Sequence, residues 1–167
     1  MSDGAPPVYW TTIDSPVGPL LLAGDRAVLR VLWFGTGRKF QGARPDWIEA
    51  PDEFRGVATQ LREYFAGQRT RFEIAVAPDG TPFQRTVWRA LQDIPYGETI
   101  SYGTLARRLG DVKATRAVGL ANGANPIAIV IPCHRVIGAS GALTGFGGGL
   151  PTKRALLDLE QGQRTLL

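Results

Sequence analysis

The chain has 167 residues, of which 44% are hydrophobic and 20% charged, a composition typical of one or two folded domains and not of a disordered segment. Its start lacks a basic region followed by an apolar stretch, and no run approaches the ~18 apolar residues of a membrane span, so we expect no signal peptide, no membrane association and a cytoplasmic protein, or a nuclear one if the host has a nucleus. One cysteine and one histidine exclude an internal disulfide and an ordinary zinc site.

Charge is distributed unevenly along the chain, whose net charge is +4. Residues 1–80 contain nine Lys and Arg against ten Asp and Glu, whereas residues 81–167 contain ten against five. Sixteen of the nineteen basic residues are Arg, whose planar guanidinium suits bidentate contacts with phosphate. A solvated basic face is the alternative explanation; if the chain binds nucleic acid, the C-terminal half is expected to carry the contact.

The N-terminal half predicts a small sheet packed against one helix. Runs of β-branched, aromatic and aliphatic residues predict strands at 8–13, at 20–34 with a turn at 24–26, and at 72–77. Residues 35–51 have the composition of a loop. From Asp52, a candidate N-cap, apolar residues recur at helical spacing as far as Gly67. Nothing in this half resembles a reaction centre.

The run 77–82, which contains Pro and Gly, is the best domain boundary and divides the chain into residues 1–80 and 81–167. Thr81 is a predicted helix cap, with Pro82 in the first turn and Gln84 completing a capping box. Four apolar residues then line one predicted helical face: Phe83, Val87, Trp88 and Leu91.

Two further helices are predicted beyond the turn at 95–97. Ser101 caps the first, which ends at Gly110, and Asp111 caps the second, over about 112–122. Helices joined by so short a turn indicate a helix-turn-helix. The second helix has little bulk, at Ala114, Ala117, Gly119 and Ala121. Such a surface permits close packing of a helix or close approach of DNA, and Arg116 on it favours nucleic acid.

The only cysteine and the only histidine are neighbours, Cys133 and His134. An apolar run ends at Pro132 just before them, so the thiol is expected at the edge of the core. Because strand neighbours point to opposite faces, the pair can cooperate only if the backbone bends, which Pro132 favours. A thiol attacks as the thiolate, which a neighbouring base promotes. The alternative is a small buried cysteine beside a structural histidine.

The sequence Pro132-Cys133-His134-Arg135-Val136 resembles the active-site signature of the O6-alkylguanine-DNA alkyltransferases. Other segments match that family in order and spacing: 94–99, 101–102, 116–119, 125–126, 145–149 and 159–160. The resemblance is strong over about 82–161 and looser before it. It implies an α+β fold, with an N-terminal RNase-H-like small sheet and helix and a mostly helical, winged-helix-like C-terminal domain that contains the helix-turn-helix.

The resemblance implies a DNA repair function and a catalytic set. The chain would move the alkyl group of O6-alkylguanine in double-stranded DNA irreversibly onto Cys133, once per molecule, as a methylated-DNA–[protein]-cysteine S-methyltransferase without metal or cofactor. His134 would act as base through a water, Glu160 would orient it, Asn125 would support the turn, and Tyr102 would protonate the leaving guanine. We expect a monomer; cooperative assembly on DNA stays open.

The resemblance also implies a minor-groove surface and base flipping. Arg116 would replace the flipped base in the stack, and the implied neighbours at the DNA are Tyr102, Thr115, Ala117 and Gly119. The flipped base would be framed by Val136, Phe146 and Gly147. Three residues depart from the common pattern of the family: Val112 replaces a frequent Pro, Thr115 a frequent Ala, and Phe146 a frequent Tyr.

Three other functions compete with alkyl transfer. A non-catalytic sensor of alkylated DNA would lack the acceptor cysteine, so Cys133 argues against it. A cysteine hydrolase would turn over and would need an oxyanion hole. A plain helix-turn-helix regulator would not require Cys133. Alternatives also exist for single residues. Tyr102 could be an aromatic residue of the core, Glu160 a surface residue, and 145–149 a loop without a function.

Overall fold

Two of the predicted apolar runs of the N-terminal half, 8–13 and 20–34, supply three strands of a four-stranded sheet. The computed structural model describes residues 6–26, 28–35, 42–143 and 146–162. The strands are β1 (Tyr9–Ile13), β2 (Leu20–Gly24), β3 (Leu29–Phe34) and β4 (Ile48–Glu49). Their order is β3-β2-β1-β4; β2 pairs antiparallel with β1 and β3, and β4 pairs parallel with β1. Buried along its whole length, β2 has the aliphatic composition expected of a strand covered on both faces.

Residues 72–77 do not form the predicted strand. They meet β3 at a single parallel bridge, between Leu29 and Val76. There Leu29 exchanges backbone hydrogen bonds with Ala75 and Ala77, but at Glu73 a side chain takes the place of a partner strand. Gln60 accepts from the amide of Glu73 at 2.8 Å and donates to its carbonyl at 3.2 Å.

The first helix begins later than its predicted cap. A 3-10 turn at Pro51–Phe54 precedes α1 (Arg55–Phe65). Asp52 lies inside that turn and pairs with Arg55 at 2.8 Å instead of capping. Gly67, with φ of 75°, follows the last turn as expected. Within the predicted loop 35–51, β4 is an additional element, and residues 36–41 lie outside the described residues.

The C-terminal half is mostly helical, as the sequence predicts. Its helices are α2 (Pro82–Leu91), α3 (Tyr102–Arg108), α4 (Thr115–Gly123) and α5 (Leu150–Glu160), and two short strands, β5 (Ile100–Ser101) and β6 (Val136–Ile137), pair in parallel. The capping box of α2 forms on both sides, since Thr81 and Gln84 exchange side-chain and backbone hydrogen bonds. Ser101 accepts from the amide of Thr104, as the predicted cap of α3. Asp111 accepts from the amide of Lys113, but it caps a 3-10 turn at Val112–Ala114, and α4 begins only after that turn.

The position of Phe83 differs from the prediction, because its side chain is 42% exposed. It lies in the first turn of α2, whereas the contact with α4 is made further along the helix. There Trp88 is buried and its Nε1 donates to the carbonyl of Ala121 at 2.8 Å. Helical spacing therefore identified the buried face correctly but not where that face ends.

One core serves both halves of the chain. Buried residues of β2, β3 and α1 pack with those of α2, α4 and α5 in one cluster. The segment that leads to the cysteine joins the N-terminal sheet directly, through a parallel bridge between Leu32 and Ile127. No described helix has the length and apolar character needed to cross a membrane.

Candidate active site

Cys133 and His134 lie in a 3-10 turn, Cys133–Arg135, that begins directly after Pro132. The predicted bend is therefore present. Cys133 is buried, with only 6% of the residue exposed. Two amides hold the surrounding backbone. Asn125 donates to the carbonyl of Ile131 at 2.8 Å and accepts from the amide of Ile127 at 3.0 Å, whereas Asn122, on α4, donates to the carbonyl of Cys133 at 3.3 Å.

A buried carboxylate lies behind this turn and gathers four hydrogen bonds. Glu160, the last residue of α5, accepts from His134 Nε2 at 2.7 Å on Oε2. Arg135 binds both oxygens, with Nε at 2.7 Å from Oε1 and Nη2 at 3.0 Å from Oε2. The hydroxyl of Tyr64, on α1, also donates to Oε2. We call these four residues the Glu160 cluster; its burial removes the alternative of Glu160 as a surface residue.

The ion pair with Arg135 and the contact with His134 keep the carboxylate ionised. Burial alone would raise the pKa of Glu160, but His134 and the Arg135 guanidinium lower it to about 2, against an ordinary value of 4.5. An ionised carboxylate only accepts, so the hydrogen on Nε2 must point at it. In the neutral ring this leaves Nδ1 as a lone-pair acceptor, and Nδ1 makes no hydrogen bond to any described residue. The ring is thus arranged as a base.

Lys153 is a functional candidate that the sequence reasoning missed. It is fully buried on α5, and its Nζ donates to the carbonyl of Val136 at 2.7 Å. Burial lowers the pKa of Lys153, and the nearby Cys133 thiolate opposes that shift. The attraction is mutual, so the Lys153 ammonium in turn favours the thiolate form of Cys133. A signal was available, because Lys153, Leu156 and Glu160 share one helical face.

The exposed face of α4 is smooth and carries one large apolar side chain. Arg116, Ala117 and Gly123 are exposed, and Leu120 between them is 73% exposed. Leu120 was not among the predicted residues. Two of the predicted small residues face elsewhere: Ala121 is buried, and a Cβ on Gly119 would meet the Tyr102 ring at 3.8 Å. The small residues of α4 thus allow close packing on its buried side, and on its exposed side they leave the surface smooth.

The remaining predicted site residues are Thr115, Phe146 and Gly147. Thr115 starts α4 and its hydroxyl donates to the carbonyl of Val112 at 3.0 Å. Phe146 is buried against Phe34, with ring centroids 5.4 Å apart, so its ring belongs to the core. Gly147 is exposed. Of the predicted glycine-rich run 145–149, Gly145 lies outside the described residues.

Arg135 and Tyr64 were also missed as site residues. Arg135 belongs to the recognised motif, and its burial beside Glu160 gives it the structural role just described. It also donates to the carbonyl of Ile94 at 2.7 Å. Tyr64 falls on the apolar face of α1, where its spacing marks it only as a core residue. In the described part of the chain, no three His, Cys, Asp or Glu residues are grouped as a metal site would require.

Comparison with known proteins gives one family over both halves. Residues 8–78 match the ribonuclease-like domain of 6-O-methylguanine DNA methyltransferase, and residues 82–162 match its DNA-binding domain. A methylated-DNA–protein-cysteine methyltransferase of Methanosarcina acetivorans is 51% identical over 92% of this chain and 98% of its own. The methylated-DNA–protein-cysteine methyltransferase of Mycobacterium tuberculosis is 53% identical over 93% of this chain and 94% of its own. The crystal structure of Mycobacterium tuberculosis OGT in complex with DNA superposes with a TM-score of 0.87, at 54% identity and with 94% and 95% of the chains covered.

The Glu160 carboxylate should make stability depend on acidic pH. Because its pKa in the folded chain is about 2 against an ordinary 4.5, its contribution is complete above the ordinary value and is lost as pH falls towards 2. Glu160→Gln should therefore reduce the loss of unfolding free energy between pH 6 and pH 3 by about 2 kcal/mol, measured by urea denaturation. The exposed Glu98→Gln is the control, and equal pH slopes in wild type and Glu160→Gln would contradict the assignment.

Proposed function

The chain belongs to the 6-O-methylguanine DNA methyltransferase family, and we propose how its residues carry out the reaction of that family. It is a DNA repair protein that transfers the alkyl group of O6-alkylguanine in DNA irreversibly to one of its own cysteines. Because the sequence contains one cysteine, the acceptor is Cys133. The observation that carries the proposal is the buried Glu160–His134 relay, which begins at the residue next to Cys133. Neither a sensor nor a regulator requires such a relay.

In the proposed reaction, Nδ1 of His134 removes the thiol proton through a bridging water. The position supports this role, because Nδ1 is free while Nε2 is committed to Glu160. The sulfur electron pair then forms a bond to the alkyl carbon, and the bond from that carbon to O6 breaks with its electrons passing to the purine. Tyr102 donates a proton to the leaving guanine and is reprotonated from solvent. The product thioether has no group to cleave it, so each molecule acts once.

Ionisation of the thiol cannot supply the whole rate enhancement. Lowering a thiol pKa from ~8.5 to below 7 raises the thiolate fraction by about thirty-fold at most, and nucleophilicity falls as the pKa falls. We therefore assign Lys153 and His134 to activation, and assign the larger share to protonation of the purine and to alignment of sulfur with the alkyl carbon. Asn125 and Asn122 support that alignment by fixing the backbone on both sides of the thiol.

The proposed DNA interface is the exposed face of α4. A target base inside a duplex must be flipped out at a cost of a few kcal/mol, and Arg116, which is exposed on α4, is proposed to fill the gap. Ala117 and Gly123 permit close approach to the minor groove, and Leu120 provides an apolar contact of the kind that minor-groove proteins use. The exposed Lys113 adds charge beside the helix. Val136 and Gly147 are proposed to frame the flipped base; for Phe146 only its backbone is proposed, because its ring is buried.

Two coarser proposals follow. We place the domain boundary at residues 80 and 81, before the capping box of α2, with DNA binding and alkyl acceptance in residues 81–167. We also infer that the protein works beside the chromosome, in the cytoplasm of a prokaryote or the nucleus of a eukaryote, because its substrate is DNA.

Transfer should be visible as a mass change on a single peptide. Incubation with duplex DNA containing O6-methylguanine should add about 14 Da, one CH2, to the peptide that holds Cys133, with at most one methyl group per protein. Mass spectrometry of the digest measures this, and Cys133→Ser with the same duplex is the control. An unchanged Cys133 peptide under reducing conditions, or several methyl groups removed per protein, would overturn the proposal.

Lys153→Met should slow chemical alkylation of the thiol. The substitution keeps the length of the buried side chain but removes the ammonium that favours the thiolate, so the rate of reaction with iodoacetamide at neutral pH should fall about ten-fold. The single cysteine makes the assay specific. The exposed Lys113→Met is the matched control, and a rate equal to that of wild type would remove Lys153 from the mechanism.

Arg116→Ala should separate base flipping from chemistry. Repair of an O6-methylguanine duplex should fall about ten-fold or more, since the flipped state loses the side chain that fills the stack, whereas reaction with free O6-benzylguanine should stay at the wild-type rate. Arg154→Ala, on the exposed side of α5, should affect neither substrate. Equal losses on both substrates for Arg116→Ala would refute the flipping role.

A further inference from the structure

We propose that Tyr64, in the N-terminal half, is a positioning residue of the alkyl-transfer centre. It acts through Glu160 and does not touch the substrate. Its hydroxyl donates to Oε2 of Glu160, the same oxygen that accepts from the ring of His134. The inference rests on the proposed function, because it assigns Tyr64 a task within that reaction. It makes the ribonuclease-like half a contributor to catalysis as well as to the core.

The position of Tyr64 is fixed by packing. The residue is 1% exposed, and its ring lies 5.2 Å from that of Phe65, 5.3 Å from that of Phe72 and 6.2 Å from that of Tyr96, measured between centroids. Close packing on several sides restrains a buried ring to the position it occupies. The hydroxyl is therefore held at the carboxylate by the N-terminal half, and it does not reach the carboxylate by chance rotation.

The hydroxyl can only donate in this place. Burial first, and then the charge of Glu160, raises the pKa of Tyr64 well above its ordinary value, so the phenol keeps its hydrogen. The carboxylate is consequently held from two directions. Arg135 grips both oxygens from the 3-10 turn, and Tyr64 holds Oε2 from α1. Together they leave the carboxylate one orientation, in which Oε2 faces Nε2 of His134.

The Tyr64 hydroxyl also reduces the negative charge that Oε2 of Glu160 presents to the His134 ring. The titratable and charged groups facing the carboxylate are His134, Arg135, Tyr64 and Tyr96; Lys153 lies on the same helix as Glu160. With the Tyr64 hydroxyl removed, Oε2 has one donor fewer and presents more negative charge to the imidazole. The ring then holds a second proton more readily, and a ring that is already protonated cannot act as a base.

The test is Tyr64→Phe, which keeps the ring and removes the hydroxyl. Single-turnover methyl transfer from an O6-methylguanine duplex should be about three- to ten-fold slower at its plateau, since the carboxylate is held less firmly. In addition, the pH at which the rate falls to half on the acidic side should move upwards. The control is Tyr96→Phe, whose hydroxyl contacts the carbonyl of Leu159 at 3.5 Å and not the carboxylate; it should leave that pH unchanged.

A purely structural role for Tyr64 gives a different result. Loss of folded protein lowers the amplitude of the reaction at every pH and leaves the acidic midpoint where it was, so an unmoved midpoint in folded Tyr64→Phe overturns the inference. An equal shift in Tyr96→Phe overturns it too. If wild type transfers no methyl group, the proposed function has failed; if wild type transfers it and the midpoint is fixed, only the present inference has.

A measurement on the unmutated protein covers the case in which Tyr64→Phe does not fold. His134 is the only histidine, so its ring protons can be identified in an NMR spectrum without further assignment. The hydroxyl proton of Tyr64 should give a slowly exchanging resonance, with a nuclear Overhauser effect to the Nε2 proton of His134. Rapid exchange of every tyrosine hydroxyl with water would overturn the inference without any variant.

Discussion

The structure depends on one buried negative charge. Removing a carboxylate from water costs several kcal/mol, and only close, well-oriented donors offset that cost. Glu160 has four hydrogen bonds from three residues, and these come from α1 and from the turn that holds the thiol. The charge therefore brings together parts of the chain that are far apart in sequence. It also sets the direction of the His134 ring, so the requirement for a stable core and the requirement for a base are met by the same contacts.

One helix, α4, carries the proposed DNA surface and also contacts the turn that holds the thiol. The exposed side of α4 carries Arg116 and Leu120, while its buried side carries Asn122, whose amide holds the carbonyl of Cys133. Under the proposed function, one helix therefore contacts DNA on its exposed side and holds the backbone of the acceptor cysteine on its buried side. The small residues of α4 serve both purposes, since Gly119 admits the Tyr102 ring and Ala117 leaves the outer side smooth.

Features governed by local chemistry could be predicted from the sequence, whereas long-range contacts could not. The capping box at Thr81, the cap at Ser101 and the bend after Pro132 follow from neighbouring residues and were confirmed. The caps predicted for two other helices were not, because 3-10 turns precede both helices: Asp111 caps such a turn and Asp52 lies inside one. Residues 72–77 were predicted as a strand, but they pair with β3 only at Leu29, and at Glu73 the side chain of Gln60, which lies well before them, takes the backbone hydrogen bonds. Glu160 entered only through a family resemblance. Tyr64 lies 96 residues from it, and an aromatic residue on an apolar helical face is read as core by any pattern.

The bridge between Leu32 and Ile127 has a mechanical consequence. β3 is hydrogen-bonded to the segment that ends at the thiol. The amide of Leu32 donates to the carbonyl of Pro126 at 2.9 Å, and the amide of Ala128 donates to the carbonyl of Leu32 at 3.2 Å. We therefore expect fraying of β3 to break the hydrogen bonds that hold the segment before Cys133 as well. Because Cys133 is the only cysteine, the rate at which its thiol reacts with a probe should then depend on the integrity of a sheet to which Cys133 does not belong.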